Sequence, residues 1–140
     1  MDWTFEDETV TEPPGIDAYG FIYMLHYEGG FRYIGKRNFF KKMTLPALKN
    51  GTIREGAERV GKNRGGKRVY FDVIYREDFK DYEGSHETAL KLIKKEILMI
   101  SLSKINLTYM EEYYLFTHKA IIDEMYINRS IGGRYYRGKV

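Results

Sequence analysis

Apolar and polar positions set the first element between Phe21 and Tyr27, where Phe21, Tyr23, Leu25 and Tyr27 share one side of an extended chain. Ile22, Met24 and His26 share the other. Neither side is polar throughout, so the pattern predicts a strand covered on both faces. A second run of strand formers, Phe31–Lys36, follows Glu28-Gly29-Gly30, and two such runs around a glycine-bearing connection predict a β hairpin. Val69–Tyr75 predicts a third strand continuing into residues 78–82. After Gly84, Ser85 is placed to cap a helix whose buried face is Ala89, Leu90, Leu92 and Ile93. Residues 97–100 fit either a continuation of that helix or a short fourth strand. A second helix is expected from Thr108 to about Ile122, followed by a basic, glycine-bearing tail.

Composition changes this picture in three ways. A chain of 140 residues is one domain's worth and buries a core without staples. It has no cysteine, which excludes disulfides, thiolate metal sites and a cysteine nucleophile. No stretch reaches the roughly 20 apolar residues of a membrane span, and the acidic start is no secretory signal. The expectation is a cytoplasmic protein.

Charge divides the chain. Residues 1–18 carry six acids and no base, and end near Pro13-Pro14-Gly15, which predicts a flexible acidic arm before a single domain over 19–140. The remainder carries a net +9, concentrated between Lys36 and Arg68, where eleven bases face only Glu55 and Glu58. Residues 37–68 have little apolar periodicity and are expected as a basic insertion loop suited to a polyanion.

Individual residues have plain structural readings. Tyr23 and Tyr33 stand on paired strands and could be core tyrosines with wet hydroxyls. Glu111 completes a capping box with Thr108. Asn128 suits a turn after the helix. His86, near a helix start, suits the surface, or a contact to phosphate or metal.

FIY at 21–23 and YIG at 33–35 resemble the paired motifs of the GIY-YIG nuclease superfamily, with Phe21 in place of the first motif glycine. The segments KKMTLPALK at 41–49, DYEGS at 81–85, Tyr109-Met110-Glu111 with Phe116, and Tyr126-Ile127-Asn128 extend the likeness over 20–131. They resemble free-standing phage-encoded members related to homing endonucleases. The resemblance implies an α+β fold, a small mixed or antiparallel three-stranded sheet flanked by helices.

It also implies divalent-metal-dependent hydrolysis of DNA phosphodiesters, in the cytoplasm of an infected bacterium if the chain is phage-encoded. Tyr23, Tyr33, Glu111 and Asn128 take the family's site positions, with Glu111 as ligand to Mg²⁺ or Mn²⁺; the step of five to Phe116 favours Glu111 over Glu112. No arginine matches the family's helix cation. Lys36 is the candidate clamp, and Arg37, Lys41, Lys42, Arg64, Lys67 and Arg68 are candidate DNA contacts. A phenol with an unperturbed pKa near 10 needs such a cation to serve as base, and either tyrosine could be that base. A single constellation and no helix face left apolar favour a monomer. The rival is a silent DNA-binding module using the same basic loop.

Overall fold

The structure, a computed structural model, describes residues 1–84 and 86–140. Its elements in chain order are β1 (Trp3–Phe5), β2 (Glu8–Val10), β3 (Gly20–Tyr27), β4 (Arg32–Asn38), β5 (Phe40–Pro46), β6 (Glu58–Arg64), β7 (Lys67–Glu77), β8 (Leu92–Ser101), α1 (Lys104–Thr117), β9 (Ser130–Ile131) and β10 (Tyr135–Tyr136). They form two compact units, one of Met1–Phe39 with Phe79–Val140 and the other of Phe40–Asp78.

The first unit is built on a mixed five-stranded sheet in the order β2-β1-β8-β3-β4. The expected hairpin is there: β3 and β4 pair antiparallel, Tyr23 opposite Gly35 and Leu25 opposite Tyr33. The expected three-stranded sheet with flanking helices is not, and α1 is the one α-helix among the described residues. The segment after residue 85, expected as a helix, is strand β8 from Leu92 on, while the Ser85 cap lies outside the described residues. The physical reason is position. β8 lies between β3, antiparallel along its length, and β1, parallel at Lys95–Ile97, and the β-branched Ile93, Ile97 and Ile100 fit the pleat. Residues 1–18, expected as a loose arm, supply β1 and β2, and Trp3 is 1% exposed with its Nε1 donating to the Phe79 carbonyl at 2.8 Å.

The sheet is covered on both faces, as the alternation in β3 implies. On one face Ile22, Met24 and Ile34 pack with Leu107 and Leu115 of α1, and with Ala120, Ile121, Tyr126 and Ile131. On the other lie Trp3, Phe21, Phe39 and Phe79, with ring centroids 4.8–6.0 Å apart. Phe21, in the place of the first motif glycine, is at the centre of that cluster. Each such ring pair is worth about 0.5–1.5 kcal/mol beyond burial.

α1 begins four residues before the expected start. Its cap is Ser103, which accepts from the Asn106 N–H at 3.2 Å, while the Thr108 hydroxyl turns back to the Lys104 carbonyl. The capping-box reading of Glu111 is thereby removed. The outward side of α1 exposes Ile105, Tyr109, Tyr113 and Phe116, so a helix face is left apolar after all.

The second unit is a three-stranded antiparallel sheet in the order β5-β7-β6, where a basic loop was expected. Val69–Tyr75 is a strand, as read, but its neighbours are β5 and β6 and not the hairpin. Asp72, fully buried, accepts from Arg59 at 2.6 Å and pairs with Arg54, tying residues 54 and 59 to β7.

Candidate active site

β4 is an edge strand, and the backbone groups of alternate residues face outward from it. Each is met by a different partner. Arg32 N–H donates to the Met125 carbonyl at 2.8 Å and the Arg32 carbonyl accepts from Ile127 at 2.8 Å. At Ile34 the partner is a side chain: Asn128 accepts the Ile34 N–H at 3.0 Å and donates back to its carbonyl at 2.8 Å. The buried carboxamide thus replaces a residue of a neighbouring strand. At Lys36 the backbone N–H bonds to Glu111. Asn128 and Glu111, predicted together from sequence, meet along this edge.

Asn128 is itself fixed by a residue that the sequence reading left in a tail. The Arg137 guanidinium donates to the carbonyls of Asn128 (2.9 Å), Asp123 (3.1 Å), Ala120 and Tyr126. No spacing pattern announces such a clamp.

Glu111 projects from the middle of α1 and is half-buried. Burial raises its pKa, Lys36 opposes the rise by charge and by its backbone N–H, and Glu112 adds to it. Lys36 also donates to the Thr108 hydroxyl at 3.1 Å, so its ammonium serves the helix side of the sheet. The cation on the tyrosine side is Arg37, whose guanidinium lies 4.1 Å from the centroid of Tyr82. Lys36, expected beside the phenols, is thus exchanged for Arg37 on that face. Strand alternation explains the exchange, since residues 33, 35 and 37 share the face opposite to 34 and 36.

Tyr23 and Tyr33 do converge, with ring centroids 6.3 Å apart. Tyr23 is 1% exposed, and its hydroxyl is 3.3 Å from that of Tyr82. A β-carbon at Gly35 would stand 2.4 Å from the Tyr23 hydroxyl, so the second motif glycine is the floor on which that phenol rests. Burial pushes the pKa of Tyr23 far up, with Tyr82, Tyr33 and Glu111 adding to the rise; Tyr33 is raised by burial, Tyr82 and Glu111. Both phenols are therefore held neutral.

His86 stacks on Tyr33, rings 4.0 Å apart and 21° from parallel, and its Nε2 is 2.6 Å from the Tyr27 hydroxyl. Its Nδ1 is buried with no hydrogen-bond partner among the described residues. Burial lowers its pKa and raises that of Tyr27 to about 12. A cavity of about 400 Å³ opens here, lined by Tyr33, His86, Thr88, Asn128 and Arg129 among others. The surface reading of His86 is corrected by this placement.

No cluster of three or more histidine, aspartate or glutamate side chains suited to a metal occurs among the described residues. The one half-buried carboxylate of the site, Glu111, is a donor of the kind a hard divalent ion takes when it keeps most of its waters. No helix is long and apolar enough to cross a membrane among the described residues.

The expected DNA contacts are divided. Register places Lys42, Arg64 and Lys67 on one face of the β5-β7-β6 sheet, with Arg64 over Phe71 at 5.3 Å. Lys41 and Arg68 fall on the other face, and Arg37 belongs to the first unit.

Residues 3–131 match the family model described as "Putative endonuclease segE, GIY-YIG domain". No curated protein and no solved structure matches the chain.

Proposed function

The chain belongs to the GIY-YIG endonuclease family, and we propose that it hydrolyses DNA phosphodiesters at the outer edge of β4, with Glu111 holding Mg²⁺ or Mn²⁺. The observation that carries this reading is the meeting of Glu111 and Asn128 on one backbone edge, beside the convergent Tyr23 and Tyr33. A bound divalent ion supplies Lewis-acid stabilisation of charge developing on the phosphate and leaving oxygen. The chain's own residues do the rest. Asn128 fixes the strand that carries Tyr33 and Gly35. Lys36 balances Glu111 from the helix side. The neutral phenol of Tyr33 donates a hydrogen bond to a phosphate oxygen, the buried Tyr23 supports it from behind, and the packed aromatic wall excludes water from one side of the site.

The β5-β7-β6 sheet grips the DNA backbone. Phosphate contacts position without reading sequence, and the face carrying Lys42, Lys62, Arg64 and Lys67 supplies them. Arg54 and Arg59 take no part, being occupied by Asp72. One chain offers one such site, so a monomer cuts one strand per event.

Supercoiled plasmid incubated with the protein and Mg²⁺ or Mn²⁺ tests this. Nicked circles are expected before linear DNA, with no cleavage in chelator or by Glu111→Ala. Salt-dependent binding without cleavage under every metal condition returns the chain to a silent DNA-binding module. Linear product from the start, rising as the square of enzyme concentration, assigns the cutting to a dimer.

A further inference from the structure

α1 buries Leu107 and Leu115 against the sheet and turns a second, aromatic face outward. Tyr109, Tyr113 and Phe116 follow one another at steps of four and three, the spacing that sets side chains in one row along a helix. They are 67%, 50% and 49% exposed. The row continues past the helix. Tyr135 of β10, also exposed, stands edge-on to Phe116 with ring centroids 5.5 Å apart. A cavity of about 250 Å³ opens where the two elements meet, lined by Glu112, Phe116, Ile131, Gly132, Arg134 and Tyr135.

A contiguous exposed apolar patch marks a place where something binds, and the chemistry around this one selects the partner. Residues 129–139 hold four basic residues and no acid. Arg137 is occupied inside the fold by the carbonyls of Ala120, Asp123, Tyr126 and Asn128, while Arg129, Arg134 and Lys139 are exposed. The acid at the cavity, Glu112, is half-buried, its carboxylate so close over Gly132 that a β-carbon there would meet it at 2.8 Å. The exposed aliphatics of this side, Leu102 and Ile105, lie at the other end of α1, Ile105 about 16 Å along the axis from Phe116. At the basic end the row is therefore rings beside cations. That combination suits unpaired nucleotides, whose bases stack on the rings while their phosphates pair with the cations. Paired DNA offers it little, because the faces of its bases are already covered by one another.

We propose that α1 and the β9–β10 segment form a stacking platform for a single-stranded stretch of the DNA substrate, so that this chain acts on DNA with unpaired nucleotides beside the cut, as in a flap or a bubble. The substrate assignment rests on the nuclease reading above. Tyr109 to Phe116 spans about 10 Å of helix, room for roughly three bases at their ~3.4 Å spacing. Glu111 projects from the same helix, between Tyr109 and Tyr113 in the chain but on the sheet side. A strand laid on the platform is thus held about one helix width, ~10 Å, from the proposed metal ligand.

The test measures fluorescence anisotropy in chelator with three probes of equal phosphate number, about a dozen nucleotides long: oligothymidylate, the same strand made of abasic sugars, and a duplex. Wild type is compared with Tyr109→Ala/Tyr113→Ala/Tyr135→Ala, and melting temperature and sedimentation are recorded for both. Wild type is expected to bind oligothymidylate about tenfold or more tighter than the abasic strand, the scale of base stacking on aromatic rings. The triple variant should lose that preference, with duplex affinity and melting temperature near wild type. In Mg²⁺, wild type should cut a duplex carrying a short bubble faster than a fully paired one, and the variant should cut both at the paired rate. Equal wild-type affinity for thymidylate and abasic strands overturns the proposal, as does a variant that keeps the preference or loses duplex affinity in equal measure. Wild type that sediments as a dimer beside a monomeric variant also overturns it, since a second copy then covers the rings. Where the triple variant melts early, Tyr113→Ala alone decides, and an unchanged preference in it counts against the platform. Wild type that cuts bubble and paired DNA alike rejects this substrate class alone. Wild type that cuts neither rejects the nuclease reading, and the anisotropy comparison still decides the platform.

Discussion

Gly35→Ala is the sharpest probe of how the second motif glycine works. The new methyl carbon would lie 2.4 Å from the Tyr23 hydroxyl oxygen, 2.6 Å from Cζ and 3.1 Å from Cε1. Ordinary contact begins near 3.4 Å, so either the phenol or strand β4 has to move by about 1 Å. The phenol has little room to do so, held by Trp3 at 5.4 Å, Tyr82 at 5.8 Å and Phe21 at 6.1 Å, centroid to centroid. Overpacking of this kind costs about 1–3 kcal/mol. At roughly 4 °C per kcal/mol for a chain of this size, the melting temperature should fall by about 4–12 °C. Cleavage should fall further than stability does, by on the order of 10²-fold, because a displacement near 1 Å is enough to disturb a reacting geometry. Tyr23→Leu removes the three clashing atoms, so Gly35→Ala should cost less in a Tyr23→Leu background than alone. A thermal melt and a plasmid assay on the four proteins close the cycle. Gly35→Ala melting with wild type, or equal costs in both backgrounds, refutes the claim that the glycine exists to seat Tyr23.

Three further outcomes are expected. In chelator, Glu111→Gln should melt at or above the wild-type temperature, since burial disfavours its charge, while cleavage in Mg²⁺ drops to about a hundredth or less; Glu112→Gln should stay active, and the reverse result moves the site by one residue. Neutralising Lys42, Lys62, Arg64 and Lys67 should weaken binding to all DNA sequences alike and reduce the salt slope by about 0.9 per lost phosphate contact, whereas Lys41 and Arg68 changed together should do less; a new cut-site preference with the slope intact contradicts this. The Arg59 hydrogen bond holds the Asp72 carboxyl below the ordinary range, so its contribution to the β5-β7-β6 unit is complete above about pH 4 and lost as pH falls through the lowered native pKa. Hydrogen exchange at β7 should show that acid-side loss, and Asp72→Asn should abolish the pH dependence; an identical acid profile in the variant refutes it.

Where local pattern and tertiary environment agreed, the sequence was readable. The β3–β4 hairpin is self-contained, and its two covered faces follow from period-two alternation. Of β8 only residues 97–100 were read as a strand, and that as one of two alternatives, because Leu90, Leu92, Ile93 and Ile97 also satisfy a helical face, and only the neighbouring strands select the extended form. β1 and β2 were missed because three-residue strands carry too few positions to show a period, although Trp3 was a cue in an otherwise acidic stretch. Of the β5-β7-β6 sheet, β5 and β6 were hidden by alternation between cations and modest apolar residues. Asn128 also suits a turn, and nothing in the spacing sets Lys95, whose buried ammonium donates to the carbonyls of Lys80 and Tyr82, apart from Lys94. What they do depends on which carbonyls lie opposite, and no spacing in the chain records that.

The outward edge of β4 has a consequence for solubility. An exposed strand edge is a template for another chain, and proteins blunt it with charge, bulges or cover. Here two side chains of the proposed site supply the cover, Asn128 at Ile34 and Glu111 at Lys36. Asn128→Ala therefore takes away a guard together with a group of the proposed site and opens an unpaired stretch beside Tyr33. On the proposed site, loss of cleavage and gain of self-association are expected together from this one substitution.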